Sequence, residues 1–565
     1  MAVSSSSLLG EQTHALIERG FDALSRRDHE GAAAAADTLL AVDPTQVDAL
    51  YLRGLLAQAR DDVEAAQDYF ERAILAKGDF PDPYIGLLEI LKTMGRRSDF
   101  DSVLELAKSR VPTSPATTLA IARLLVQEHP ERAIEEVNAL GDVVAEDPGQ
   151  VALQAIRTRA LIALGRRSEV LAECYMPDAR SCTPQELLGA SVRLLQADRP
   201  HDACRLLEAG LTRYPEDPVL RYNLCHALHR AGEDGVCDRE LDRLLSRFDD
   251  NDALFLRAFR YLREGRFREG FALYETRLRM QSIDVAKAAP IPAWDGGPLE
   301  GRRLLVLNEQ GYGDNLMCIR FLPLLLDRGA DVTYLCPEPL YSLVAWQPSL
   351  RSARVLTRLV LTPWNQGDVY ANIMSLPHLL GLEDPVSSVR FPYLEVPAAL
   401  LRSWAARLGG ARRTTVGVVW AANPNQLVGK ERSVPLEMLT PMFSTPGVRF
   451  VSLQVGPAAL DQPMDGLQDL APQLEDFADT CAAVSCCDLV ISVDTSVAHV
   501  AGAIGKPVWV MTPFVTDWRF SMNGAGRAHW YPSARVFRQP APGQWTPVIN
   551  EVRAELGRLM STRSR

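Results

Sequence analysis

The sequence predicts an α-helical repeat solenoid followed by an α/β half made of two parallel-sheet lobes. Three observations carry this reading. Residues 1 to 280 repeat themselves at a fixed period, a Pro/Gly-rich stretch follows where the period stops, and two sets of short apolar runs alternate with helical segments after it.

The repeat comes first. Gly20, Ala32, Ala36, Leu39 and Pro44 are echoed 34 residues later by Gly54, Ala66, Phe70 and Ala73, and again by Leu88, Phe100, Leu104, Ala107 and Pro112. That period is the one of the tetratricopeptide repeat, in which small residues let two antiparallel helices approach and a Pro stops the second. The register weakens over residues 115 to 185, where the helical patterns RAIEEVNAL and VALQAIRTRALIAL persist. It returns with Ser191, Ala203, Leu207 and Pro215, then with Cys225, Cys237, Leu241 and Leu244, and ends in LFLRAFRYLREGRFREGFALYETRL. A solenoid of this kind offers an extended concave surface that holds a peptide or protein, or serves dimerisation.

QSIDVAKAAPIPAWDGGPLEG then reads as a linker over 281–300. Beyond it, RLLVLN, DVTYLC and DVYANI form one set of predicted strands, and TVGVVW, VRFVSLQ, DLVISV and PVWVM form a second. Strands separated by helical segments imply parallel sheets covered on both faces. Between the sets, LLRSWAARLGGARR reads as a helix end and a hinge at Gly409-Gly410. The expected domains are a repeat domain over 1–280, a first lobe over 301–410 and a second over 411–565.

Bulk properties narrow the function. Sixty Lys plus Arg against 71 Asp plus Glu give a net charge of −11, which argues against nucleic acid as partner. No apolar run reaches membrane-span length, and MAVSSSSLLGEQTH lacks the features of a signal peptide, so a cytoplasmic protein with no membrane partner is expected. The ten Cys are scattered without a CxxC pair, which predicts neither disulfides nor zinc. GxSxG, Walker and HExxH motifs are missing, and Asp250-Asn251-Asp252 falls in a repeat turn, so no metal site is expected.

Two stretches of the second half carry chemistry. NEQGYGDNLMCIRFLPLL places Gly311 and Gly313 at a strand-to-helix turn and Asp314 just inside the helix. The turn resembles the start of a dinucleotide fingerprint, but Met317 stands near the place of a third glycine, which argues against a nicotinamide cofactor. Asp314 is either a helix-start acid favoured by the macrodipole or a catalytic group facing a cleft. DLVISVDTSVAHVAGAIGKPVWVM reads strand, helix, strand, with Thr495 or Ser496 capping the helix and His499 in its first turn. Polar groups at such a junction commonly serve a phosphate.

With VVWAANPNQLVGKERSVPLEML and ISVDTSVAHVAGAIGKPVWVMTPFVTDWRF, these motifs resemble the bacterial tetratricopeptide-repeat glycosyltransferases, whose catalytic part is similar to lipopolysaccharide heptosyltransferases. The resemblance spans the whole chain. It implies a GT-B fold of two Rossmann-like lobes, inverting transfer, and a nucleotide-sugar donor held mainly by the second lobe. The heptosyltransferase Gly-Asp turn matches Gly313-Asp314, with the Asp as the proposed general base. The phosphate-contacting Lys of that family matches Arg432, and its Asp-Thr-Gly-x-x-His donor loop matches Asp494, Thr495, Ser496 and His499. Ser496 stands where the family has Gly, and Arg432 where it has Lys.

Glycosyl transfer needs an activated hydroxyl and a stabilised leaving phosphate. Asp314 can take the acceptor proton, while the backbone N–H groups of Thr495 and Ser496, together with His499, can hold the phosphate. Which of Asp314 and His499 is the base stays open. Lys430 and Arg432 can add positive charge or lie in a solvated loop, Asn423 can touch the nucleotide or form an Asx turn, and Asp517-Trp518-Arg519 can shape the donor pocket, with Trp518 as readily core. The reading implied is a metal-independent protein O-glycosyltransferase without cofactor. It would move a CMP-activated nonulosonic acid onto Ser or Thr of an acceptor bound by the repeats, as in flagellin glycosyltransferases. A different nucleotide sugar with a lipid or other protein acceptor, or a non-catalytic scaffold, are the alternatives.

Overall fold

The computed structural model describes residues 5–26, 28–60, 62–94, 96–111, 114–139, 182–280, 291–357, 367–408, 413–423, 429–459, 464–522 and 526–563, with a few positions between 156 and 179. The pattern VALQAIRTRALIAL, the Gly409-Gly410 hinge and the first half of the expected linker lie largely or wholly outside them. Two compact units form, one of Met1–Pro177 with Val192–Arg199, the other of Asp178–Ser191 with Pro200–Arg565. No helix among the described residues is long and apolar enough to cross a membrane.

The first unit is a run of antiparallel helix pairs, beginning Ser5–Ser25, His29–Val42, Val47–Ala59 and Val63–Ala76. The periodic positions are its core: Ala32, Ala36, Ala66, Phe70, Ala73, Leu88, Phe100 and Leu104 are all buried. Gly54 recurs because a Cβ there would stand 2.2 Å from the Phe70 ring. Asp28 and Asp62 cap the second helix of each of the first two pairs by accepting the backbone N–H of Gly31 and Ala65.

The second unit contains the start of the helix Pro184–Gln196 and the repeat helices Pro200–Arg213, Pro218–Ala231, Asp234–Leu245, Asn251–Arg263 and Phe267–Tyr274. Asp250, first of the Asp-x-Asp triplet, is the N-cap of one of them and accepts from Ala253 N at 2.9 Å. Cys225 and Cys237 are buried between helices as small apolar residues.

A parallel sheet follows, with β1 (Arg303–Leu307), β2 (Asp331–Leu335), β3 (Arg354–Leu356) and β4 (Val369–Asn372) in the order β3-β2-β1-β4. The second sheet holds β5 (Thr414–Val419), β6 (Val448–Ser452), β7 (Leu467–Asp469), β8 (Leu489–Val493), β9 (Val508–Thr512) and β10 (Ala534–Arg538) in the order β10-β9-β8-β5-β6-β7, all parallel. The sequence reading marked seven of these strands. It missed β3 and β7, which have three residues each, and β10, whose run ARVFR alternates charge with apolar residues.

The order of each sheet reverses once, between β1 and β4 in the first lobe and between β5 and β8 in the second. A crevice opens at such a reversal, beyond the carboxyl ends of the strands, and ligands bind there. The turn after β1 is Asn308 to Gly311, and the turn after β8 is Asp494 to Thr495. Both motifs therefore stand at switch points.

Two domain boundaries need correction. Residues 292–294 of the expected linker extend the first sheet: Trp294 N donates to Tyr370 O at 2.7 Å, and Tyr370 N to Pro292 O at 3.0 Å. The expected end of the repeat domain at residue 280 also cuts through a continuous core, because Phe267, Phe271 and Tyr274 pack in one apolar cluster with Leu316, Met317, Trp518 and Trp530. Separating them would expose aromatic surface, so the last repeats and both lobes form one body.

Candidate active site

The helix Tyr312–Cys318 of the first lobe packs against the helix Ser496–Ala503 of the second, which brings the two switch points together. Asp314 sits at the third position of its helix, and its two carboxylate oxygens have different partners. Oδ2 accepts the Gly311 backbone N–H at 3.1 Å, and Oδ1 accepts from Arg519 Nε at 2.6 Å across the lobe interface. The helix-start role expected of Asp314 is present, and its second oxygen is taken by Arg519.

Arg519 joins the two lobes at this point. Its Nη1 donates to Asp517 at 2.9 Å and its Nη2 to Gln310 Oε1 at 3.2 Å. Burial opposes its charge, but the carboxylates of Asp314 and Asp517 hold its pKa well above the usual value. Burial alone would raise Asp517, yet Arg519 beside it keeps that carboxyl below the ordinary range. The sequence signal was Asp517-Trp518-Arg519 itself, where Trp518, 1% exposed, is core and its two charged neighbours turn toward the site.

On the second lobe Asp494 is buried and pairs with Arg432, whose Nη1 lies 3.2 Å from Oδ2 and donates to the Asp494 backbone O at 3.3 Å. Burial pushes Asp494 up and Arg432 pulls against it. Arg432 closes the loop after β5 onto the end of β8, and Glu431 next to it pairs with Arg230 of a repeat helix at 2.7 Å. The Lys430 side chain lies outside the described residues. Asn423 is exposed beyond β5, in a loop held where Gln454 Oε1 accepts from Trp420 N and Ala421 N at 3.1 and 2.9 Å.

Thr495 has N-cap geometry, but its hydroxyl bonds Ser492 Oγ at 3.0 Å and makes no cap hydrogen bond. The expected side-chain cap is therefore absent, and the Ala498 N–H turns back on the Thr495 carbonyl at 3.1 Å instead.

His499 differs most from expectation. It is 2% exposed, its Nδ1 lies 2.7 Å from the Tyr531 hydroxyl, and its ring packs on Phe520. Burial, with Arg519 and Arg320 nearby, lowers its pKa to about 3, so the imidazole is neutral in this arrangement. Its ring fills the space of the missing Gly313 side chain: a Cβ on Gly313 would stand 2.7 Å from His499 Cδ2. Gly313 and His499 are a packing pair that sets the distance between the lobes. Gly313→Ala is accordingly expected to destabilise the fold by about 1–3 kcal/mol and to lower turnover by prising the helices apart. Thermal melting with paired activity assays checks this, and an unchanged melting temperature would show that the ring yields.

A cavity of about 140 Å³ lies at the ends of β9 and β10, lined by Gly232, Asp234, Arg263, Thr516, Ser521 and Arg538 among others. Thr516 adjoins Asp517, so the cavity borders the charged cluster.

No protein-family model matches the chain. Protein FlbA of Caulobacter vibrioides is 27% identical over 459 residues, covering 68% of this chain and 75% of FlbA. Among solved structures, the E. coli ADP-heptose lipopolysaccharide heptosyltransferase II is 12% identical, with 46% of this chain and 100% of that one covered at a TM-score of 0.35. A tetratricopeptide repeat protein from Parabacteroides merdae is 11% identical, with 48% and 94% covered at a TM-score of 0.31. The chain is a solenoid of tetratricopeptide-like helix pairs joined to an α/β half of two parallel-sheet, Rossmann-like lobes, as its own helix pairs and strand orders show.

Proposed function

We propose that the chain is an inverting, metal-independent glycosyltransferase that acts on a protein bound by its repeats. The observation that carries this reading is the meeting of the two switch points, with Asp314 on one side and the uncapped helix N-terminus at Thr495-Ser496 on the other. In this reading Asp314 takes the proton of the acceptor hydroxyl while the oxygen attacks the anomeric carbon. The bond to the nucleotide phosphate breaks, and the departing charge is met by backbone N–H groups and arginine. Arg519, paired with Asp314, and Arg432, paired with Asp494, supply the positive charge in this reading.

The donor is proposed to be a CMP-activated nonulosonic acid and the acceptor a Ser or Thr of flagellin, in the cytoplasm. An acidic sugar is supported by Arg538 in the cavity beside the cluster, where Arg263 is already paired with Asp234, since guanidinium pairs well with carboxylate. A protein acceptor is supported by the antiparallel helix pairs of the first unit, since stacked repeats of this kind commonly hold a peptide.

Co-expression with flagellin and intact-mass measurement of the acceptor tests the proposal. A mass increase equal to one or more sugars is expected with the full chain, and an unchanged acceptor mass would refute it. The site acids pair with arginines that a cation would have to displace, so transfer is expected to continue in EDTA. Turnover lost on chelation and restored by magnesium would overturn the metal-independent mechanism.

A further inference from the structure

The terminal repeat helix reaches the catalytic turn through a single polar chain. Tyr274, last residue of Phe267–Tyr274, is 1% exposed and packs edge-on to Phe271 and Trp518. Its hydroxyl accepts from Gln310 Nε2 at 2.8 Å. Gln310 Oε1 in turn accepts from Arg519 Nη2 at 3.2 Å, and Arg519 Nε donates to Asp314 at 2.6 Å. Three hydrogen bonds therefore connect a repeat helix to the proposed base, passing through both lobes.

Two features show that this chain does more than fill space. Phe would pack as well as Tyr among these rings, whereas a buried hydroxyl is tolerated only if bonded, so the oxygen of Tyr274 is spent on Gln310. Gln310 also has φ of 60°, in the left-handed region that a non-glycine residue adopts only when its surroundings hold it there. The residue before it is held from the same repeat segment: Arg277 donates to both carboxylate oxygens of Glu309, at 3.1 and 2.6 Å. Both residues that lead into the Gly311–Asp314 turn are thus set by the end of the repeat array.

We propose that Tyr274 is a positioning residue for glycosyl transfer, holding Gln310 so that Arg519 and Asp314 keep their reactive arrangement. The inference rests on reading Asp314 as the base. It makes the last repeat part of the catalytic machinery as well as of the recognition surface.

The test uses the full chain with saturating donor and acceptor. Tyr274→Phe is expected to lower kcat about tenfold while both KM values and the melting temperature stay near those of the parent. Gln310→Ala cuts the same link from the other side and carries the test if Tyr274→Phe fails to fold. The double variant is expected to be no slower than the slower single variant, because the two act on one link. A parental kcat in Tyr274→Phe, or losses that multiply in the double variant, would overturn the proposal. A loss confined to melting temperature or KM would also overturn it, since that is the signature of packing alone. Asp314→Asn runs alongside: if it stays active, the reading of the base has failed, whereas an inactive Asp314→Asn with an unimpaired Tyr274→Phe sinks only the positioning role.

Discussion

Asp314→Asn is expected to lower turnover by about 10²–10⁴-fold, the range a general base contributes, while the protein stays folded and binds nucleotide. The amide is nearly isosteric and its oxygen can still accept the Gly311 N–H, so the helix start survives. The pairing with Arg519 is lost, but Arg519 keeps Asp517 and Gln310 as partners and is not stranded. What disappears is a group able to take the proton of the acceptor hydroxyl. The competing candidate, His499, has Nδ1 on Tyr531 and its opposite edge against Gly313. Single-turnover transfer by Asp314→Asn, measured beside nucleotide affinity and thermal melting, decides between them. Activity within a factor of a few of the parent would place the base elsewhere.

How far such a site can be read from residues alone depends on how local its determinants are. The strand-turn-helix motifs around Gly313-Asp314 and Asp494-Thr495 are local, and apolar runs ending in small or polar residues announced both. The 34-residue period was legible because each repeat buries the same positions, and Gly54 had to be small for Phe70 one helix later. What the sequence could not give were pairings at long separation. Arg519 and Asp314 are 205 residues apart, so nothing in either neighbourhood marks the other as its partner. His499 was placed in the correct helix turn, but its face was not fixed by sequence: polarity suggested the ligand side, whereas the ring belongs to the interface because Gly313 leaves it a space. The boundary at residue 280 failed for a related reason. Helical periodicity ends there, yet Tyr274 and Arg277 face the first lobe, and periodicity does not say what a helix end is packed against.

Arg277→Met is expected to destabilise the protein by about 3–5 kcal/mol, the cost of leaving a buried charge without its partner. Arg277 is fully buried, and every side of its guanidinium is occupied. Besides Glu309 it donates to Ser375 Oγ at 2.7 Å, to Tyr274 O at 3.2 Å and to Glu275 at 2.5 Å. Glu309 also accepts from Met374 N at 2.9 Å, so its carboxylate cannot swing out to water once Arg277 is gone. Burial already pushes the Glu309 carboxyl up against the pull of Arg277. Without that pull the folded state binds a proton more readily than the unfolded chain, and stability must then fall as pH rises. The variant is therefore expected to be closest to the parent in mildly acidic buffer and furthest from it above neutrality. Denaturant melts at several pH values measure this. Arg277→Met combined with Glu309→Gln should recover much of the loss, since the stranded charge is then removed, and a double variant as unstable as the single one would mean that packing, not charge, holds this junction. The same pair explains why a cut between residues 280 and 301 would not yield two independent halves: Arg277 would leave with the repeats while Glu309 stayed buried in the first lobe, two residues from Gly311.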